Sequence, residues 1–207
     1  MSGWIDSSGV ITKWAAVHAG MTAAEGKIDA AALADAAMSI ISIFDLISGM
    51  GTAKGDMEGN AKTVAKYGAE KGGPIQDIVA TEIAADPSKL KKLIGDGKTA
   101  TCALLWLVRA LTFIEVMVGE LMNNREKAMK DCVNDGYAAS LKPHHGMMIK
   151  TIFAGAVKMA PNRATFEAKL DATADAAFAK IGGLMPQFSE VLAKLREFLV
   201  TSSIESK

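Results

Sequence analysis

Asp56 and Asn60, in the run GDMEGNAKT, stand four residues apart and so share one face of a helix. Both are unusual choices for a helix interior, because their side chains compete with the backbone for hydrogen bonds. In isolation the pair reads more readily as an N-cap aspartate followed by a surface asparagine. A second polar group interrupts the most apolar stretch of the chain, where Arg109, Thr112 and Glu115 follow at intervals of three. An arginine there is costly unless it is paired or faces a polar site; the alternative is a surface strip with Glu115 nearby. His144-His145 invites a metal reading, but neighbours on a helix point about 100° apart, and the third histidine, His18, is remote. Gly97-Lys98-Thr99 has the ending of a phosphate-binding loop. That loop would need a glycine where Lys92 stands and a strand in place of the helical Leu90 to Ile94. Nucleophile elbow, HExxH and CxxC patterns are missing. The expectation is a non-enzyme with no cofactor and no metal.

The elements that must position these residues are helical. Ala, Leu, Met, Ile, Glu and Lys dominate the segments between breaks, and six-residue stretches of period-two alternation do not occur. The prolines at 74, 87, 143, 161 and 186 are expected between helices. Asp86-Pro87 reads as an N-cap with proline at the first helical position, and Asn162 and Thr165 mark another start. Glycines at 49, 51, 55, 72, 73, 95, 97, 182 and 183 mark the looser connections. The pattern predicts an all-α protein of about eight helices in one domain spanning residues 1–207. Thr99 to Met122, apolar nearly all round, is expected to be its central helix.

Half of the 207 residues are apolar, enough for a substantial core, and 23 basic residues balance 23 acidic ones. Zero net charge gives no long-range attraction for phosphate backbones, so no nucleic-acid partner is expected. Two cysteines, Cys102 and Cys132, make no disulfide framework and suit a reducing compartment. Met1 to Val10 lacks a signal-peptide pattern. Thr101 to Met122 carries Arg109, Glu115 and Glu120, which argues against a transmembrane span. A soluble, cytoplasmic monomer is the expectation.

The segments GDMEGNAKT (55–63), LLWLVRALTFI (104–114) and HGMMIKTIFAGAVKMAP (145–161) together resemble the glycolipid transfer protein family in content, order and spacing. Phe44-Asp45, PIQDIV at 74–79, Tyr137 and Ala160-Pro161 add smaller matches. The resemblance implies a two-layer helical sandwich with a polar recognition centre at the surface and an apolar pocket behind it for ceramide chains. By resemblance, Asp56 accepts from the sphingoid amide N–H and a head-group hydroxyl, Asn60 binds the first sugar, and Trp106 lies flat against that sugar. His145 donates to the acyl amide carbonyl. Lys62 and Arg109 join this head-group set, and Cys102, Leu105, Phe113, Met117 and Phe153 line the hydrocarbon pocket. The function implied is non-enzymatic carriage of one sphingolipid between membranes, with transient contact at the membrane surface.

The chain also departs from the family. Thr63 stands where many glycolipid-binding members have lysine, leaving Lys62 or Lys66 to reach the head group. Met147 replaces a membrane-docking tryptophan, and the C-terminus, TSSIESK, lacks aromatic residues. In the ceramide-1-phosphate branch of the family the positions of Trp106 and Ala110 hold arginine and that of Asn60 typically lysine. The residues present here point to a simple sugar head group. A ceramide-1-phosphate carrier, a sphingolipid sensor or adaptor, and a ligand-free helical interaction domain are the alternatives.

Overall fold

Helix-favouring composition produces a helical chain. The computed structural model describes residues 3–205 and, among them, eleven α-helices and no strand. The helices are Trp4–Ser8 (α1), Val10–Ala23 (α2), Ala30–Ile41 (α3), Gly51–Lys71 (α4), Ile75–Ala85 (α5) and Leu90–Gly95 (α6). They continue with Ala100–Asn123 (α7), Met129–Ala139 (α8), Met147–Val157 (α9), Arg163–Leu170 (α10) and Ala174–Thr201 (α11). Short 3-10 turns cover Ser42–Leu46, Pro87–Lys89 and Lys142–His144. The count exceeds the expected eight because α1, α6 and α10 have only five, six and eight residues. Pieces that short complete too few turns for apolar periodicity to show.

The caps read from sequence are present. Asp86 accepts from the Ser88 amide at 3.2 Å, and Asn162 accepts from the Thr165 amide at 2.8 Å. Pro186 is a correction, because it lies inside α11. An interior proline removes one amide donor and crowds the carbonyl four residues back. That residue is Gly182, followed by Gly183, so the turn before Pro186 carries no side chains at those two positions, and Pro186 itself is exposed.

The central helix is α7, with 15 of its 24 residues buried. Helices α2, α3 and α4 pack in succession, α4 lies on α7, α7 on α11, and α11 returns to α2. Helix α8 seats on α7 through Gly136, where a Cβ would stand 2.6 Å from Phe113 Cδ2 and 2.7 Å from the Phe113 carbonyl oxygen. Among the described residues, α7 is the one helix long and apolar enough to cross a membrane. Two-thirds of its most apolar window (67%) is buried inside the fold, as in a core helix.

Both ends of α7 are tied down. Thr99 caps it by accepting from the Cys102 amide at 3.1 Å. Glu82 of α5 accepts from the Thr101 amide at 2.8 Å and its hydroxyl at 2.6 Å, and from the Ala100 amide at 3.2 Å. The Gly97-Lys98-Thr99 sequence is thus a helix cap. At the far end Arg163 donates to the carbonyls of Leu121, Asn124 and Lys127, where the helix runs out of its own amide donors. Side chains on α7 therefore project from a fixed frame.

Candidate functional site

Cys102, Trp106, Arg109, Phe113 and Met117 recur at helical spacing and form one stripe along α7. The stripe begins at Cys102, within reach of the Asp56 charge, passes an aromatic and a cationic residue, and ends in the core. Asp56 and Asn60 lie on α4, along one edge of that helix's buried face, which is made of Met57, Ala61 and Val64. The Asn60 amide donates to the Asp56 backbone carbonyl at 3.0 Å, so it does not engage the carboxylate. The exposed Asp56 carboxylate has no hydrogen bond or ion pair among the described residues. Asp56 is nonetheless near enough to α7 and His145 for its charge to push both the Cys102 and His145 pKa values upward.

His145 lies between the 3-10 turn Lys142–His144 and α9, in extended backbone with φ −92° and ψ 137°. The helical geometry assumed for the two histidines is therefore corrected. The imidazole of His145 stacks on Trp106 with ring centres 5.6 Å apart and planes 21° apart. His144 meets the same indole edge-on at 6.4 Å. His145 Nδ1 is 3.1 Å from the Tyr137 hydroxyl. Burial holds the His145 pKa below its ordinary value, against the opposing pull of Asp56. His144 is lowered as well, by burial and by Arg109.

Arg109 does not lie on a solvent-facing strip with Glu115. Its guanidinium is 4.8 Å from the centre of the Trp106 ring, and it donates through Nε and Nη2 to the two oxygens of Glu205, both at 2.8 Å. Glu115 pairs instead with Arg196 of α11 at 2.7 Å, and Arg196 also donates to Thr112 at 3.1 Å. The polar strip of α7 is thus covered by α11 and the segment after it. Sequence spacing within α7 carried no sign of these partners, which lie 81 to 96 residues away.

Lys62 is not drawn toward this group. It follows Asn60 by two residues, about 200° round the helix, and its ammonium is 3.4 Å from Glu58. Lys66 faces Glu70 at 3.9 Å. The residues expected to line a hydrocarbon pocket, Cys102, Leu105, Phe113, Met117 and Phe153, are all buried. Phe153 stacks on Tyr137 at 3.6 Å and meets Phe113 at 5.8 Å, while Phe44 meets Phe113 at 5.3 Å. This is close-packed core, the state apolar side chains adopt when nothing separates them. A hydrocarbon chain could enter only by moving these rings.

Phe153 belongs to α9, whose other face is solvated. Met147 is 79% exposed, Met148 73% and Ile152 52%, with Met159 just beyond at 61%. Among the described residues no group of three His, Cys, Asp or Glu side chains could hold a metal ion. The arrangement can receive hydrogen bonds at Asp56, exchange them at His145 and present aromatic surface at Trp106.

The sequence profile described as "Glycolipid transfer protein (GLTP)" matches residues 28–172. The chain belongs to the glycolipid transfer protein family. Human pleckstrin homology domain-containing family A member 8 is 36% identical over 120 residues, which is 56% of this chain and 22% of that protein. The chain thus spans about a fifth of the length of that curated relative. A glycolipid transfer protein from Aureobasidium melanogenum is 29% identical over 184 residues, 85% of each chain. The solved structure of FAPP2, which selects simple glycosphingolipids using the GLTP fold, superposes with a TM-score of 0.76 at 26% identity, covering 87% of this chain and 89% of that one. Human ceramide-1-phosphate transfer protein superposes at 0.81 with 14% identity over 95% and 96% of the two chains, a likeness of fold alone. The all-α fold and the family read from sequence are therefore correct. Tyr137 and Glu205 are the site residues that sequence reasoning left without a role.

Proposed function

We propose that the chain is a non-enzymatic, monomeric, single-domain carrier that takes one glycosphingolipid with a simple sugar head group from a membrane and delivers it to another. The observation that carries this reading is the unpaired Asp56 carboxylate, near enough to His145 for its charge to act on that imidazole, together with the His145–Trp106 stack and the His145–Tyr137 contact that leads to the buried rings of Phe153 and Phe113. The amide of a ceramide has one donor and one acceptor, and both need partners when it leaves the interfacial water. Asp56 accepts from the N–H. His145 donates to the carbonyl through Nε2, and the Tyr137 hydroxyl favours that tautomer by donating to Nδ1. Trp106 offers the flat apolar surface that a pyranose ring lies against, with Asn60 supplying neutral hydrogen bonds to hydroxyls.

The hydrocarbon chains take the place that the Phe153 ring now fills against Tyr137 and Phe113. Burying each methylene is favourable by about 0.8 kcal/mol relative to water. The bilayer offers nearly the same, so net transfer is close to isoenergetic and the polar contacts decide which lipid is taken. The exposed methionines and isoleucine of α9 are the surface that meets the bilayer. Flexible methionines suit a changing lipid contact, and Lys150 and Lys158 on and just after that helix suit anionic head groups. The balanced charge and the two free, buried cysteines fit work on the cytoplasmic side of membranes.

Transfer of fluorescent galactosylceramide or glucosylceramide between vesicles tests the reading, with ceramide-1-phosphate in competition. Transfer of the neutral glycolipid, lost in Asp56→Val, is the expected result. Absence of transfer of any sphingolipid by the folded protein would refute it.

A further inference from the structure

A cleft of about 260 Å³ opens beside Trp106, lined by Arg109, Arg196, His144, Ser140, Thr112 and Glu205 together with apolar residues. Two guanidiniums and an imidazole converge here, a donor set that would ordinarily take a phosphate. Each guanidinium is instead held by a carboxylate of the chain itself. Glu115 takes Arg196, and Glu205 takes both forward donors of Arg109 in a fork with both contacts at 2.8 Å. His144 adds little charge, since burial and the neighbouring Arg109 push its pKa down.

Glu205 reaches Arg109 because the backbone after α11 turns back on itself. Ser203 adopts a left-handed φ of 58°, the Ile204 and Glu205 amides both donate to the Leu199 carbonyl, and the Ile204 side chain is buried. The turn delivers a carboxylate whose side chain is 23% exposed to an arginine that is 14% exposed. The pairing is charge-assisted, and its shielding from solvent makes it hard to displace.

We propose that Glu205 is a specificity-determining residue. It occupies, from the segment after α11, the guanidinium beside the sugar platform, and thereby rejects sphingolipids whose head group is a phosphate or sulfate. This rests on the reading of the site as a neutral glycosphingolipid site. A phosphate monoester entering at Trp106 would have to evict Glu205 and would leave that carboxylate unpaired beside it. A hexose has no charge with which to compete for Arg109. Neutralising position 205 removes the counter-charge from Arg109 and makes the cleft an anion site.

The test compares the wild type, Glu205→Gln, Glu205→Asp and the double variant Arg109→Gln/Glu205→Gln. Binding of ceramide-1-phosphate and of glucosylceramide is measured separately on neutral phosphatidylcholine vesicles, and thermal unfolding reports the integrity of each variant. Glutamine keeps an acceptor for Arg109 and removes only the charge. The expected result is a gain of about tenfold in ceramide-1-phosphate binding for Glu205→Gln. Glu205→Asp should stay near the wild type, and the double variant should lose the gain. Unchanged ceramide-1-phosphate binding in Glu205→Gln overturns the proposal. So does an equal gain in Glu205→Asp or a gain that survives in the double variant, since either traces the effect to a loosened segment rather than to the freed charge. Failure of the carrier reading would show elsewhere, as absent glucosylceramide binding by the wild type.

Discussion

Replacing Asp56 by valine tests the recognition centre with little collateral damage, and the structure shows why. The side chain is exposed in the second turn of α4 and makes no hydrogen bond or ion pair among the described residues. The Asn60 amide donates to the Asp56 backbone carbonyl, which valine retains. Valine and aspartate have similar helix propensities, so the unfolding midpoint should move by less than about 2 °C. The lipid amide, in contrast, loses a charge-assisted acceptor. A hydrogen bond to a charged group contributes about 1.5–3 kcal/mol, which corresponds to about 10- to 150-fold weaker binding of every ceramide-based lipid. Vesicle transfer and equilibrium binding of glucosylceramide measure this directly. An internal control comes from His145, whose pKa Asp56 pushes upward against burial. Removing the carboxylate should lower that pKa further, seen as a shifted imidazole titration by NMR. Wild-type transfer by a folded Asp56→Val, or an unmoved His145 titration, would refute the assignment of Asp56 to this site.

Other substitutions separate the parts of the site. His145→Leu should weaken all ceramide-based lipids alike, whatever the head group, because the imidazole is assigned to the amide carbonyl; His144→Leu should do much less, and equal losses would refute that division. Trp106→Ala should lose glucosylceramide selectively while ceramide itself binds within a few-fold of the wild type, as measured by competition in mixed vesicles. Met147→Glu with Met148→Glu places two charges on the most exposed face of α9 and should slow transfer at least several-fold. It should leave binding of a water-soluble short-chain glycolipid unchanged, and a parallel loss of both would place these residues in the pocket.

Much of the fold was legible because it depends on local signals. The near-continuous apolar run of α7, the caps at Asp86 and Asn162, and the helix-favouring composition each act within a few residues. What failed was also physical. Pro186 normally ends a helix, yet here the small residues one turn before it let α11 continue. Arg109 carried a visible demand for a partner, since a cation in so apolar a helix must be paired, but nothing in the local pattern distinguished Glu115 from Glu205. The answer depended on a turn after α11 that only the folded chain reveals. The adjacent histidines were misjudged for a related reason. The departure from helix between Pro143 and α9 turns both rings toward Trp106.

The stripe on α7 has a consequence for selectivity. Cys102 and Trp106 stand at the level of Asp56, while Phe113 and Met117 lie two to three turns deeper, among rings held by Phe44, Tyr137 and Phe153. One rigid helix, tied at Thr99 and Glu82 at one end and by Arg163 at the other, fixes the distance between these levels. The head group and the chains are therefore read at different heights along the same scaffold. Tyr137 touches both, through its hydroxyl on His145 and its ring against Phe153. Chains that displace Phe153 would remove the stacking partner of the residue that orients His145. Filling the pocket and grasping the amide are in this way coupled through Tyr137, and the stack of His145 on Trp106 carries that coupling to the head-group platform.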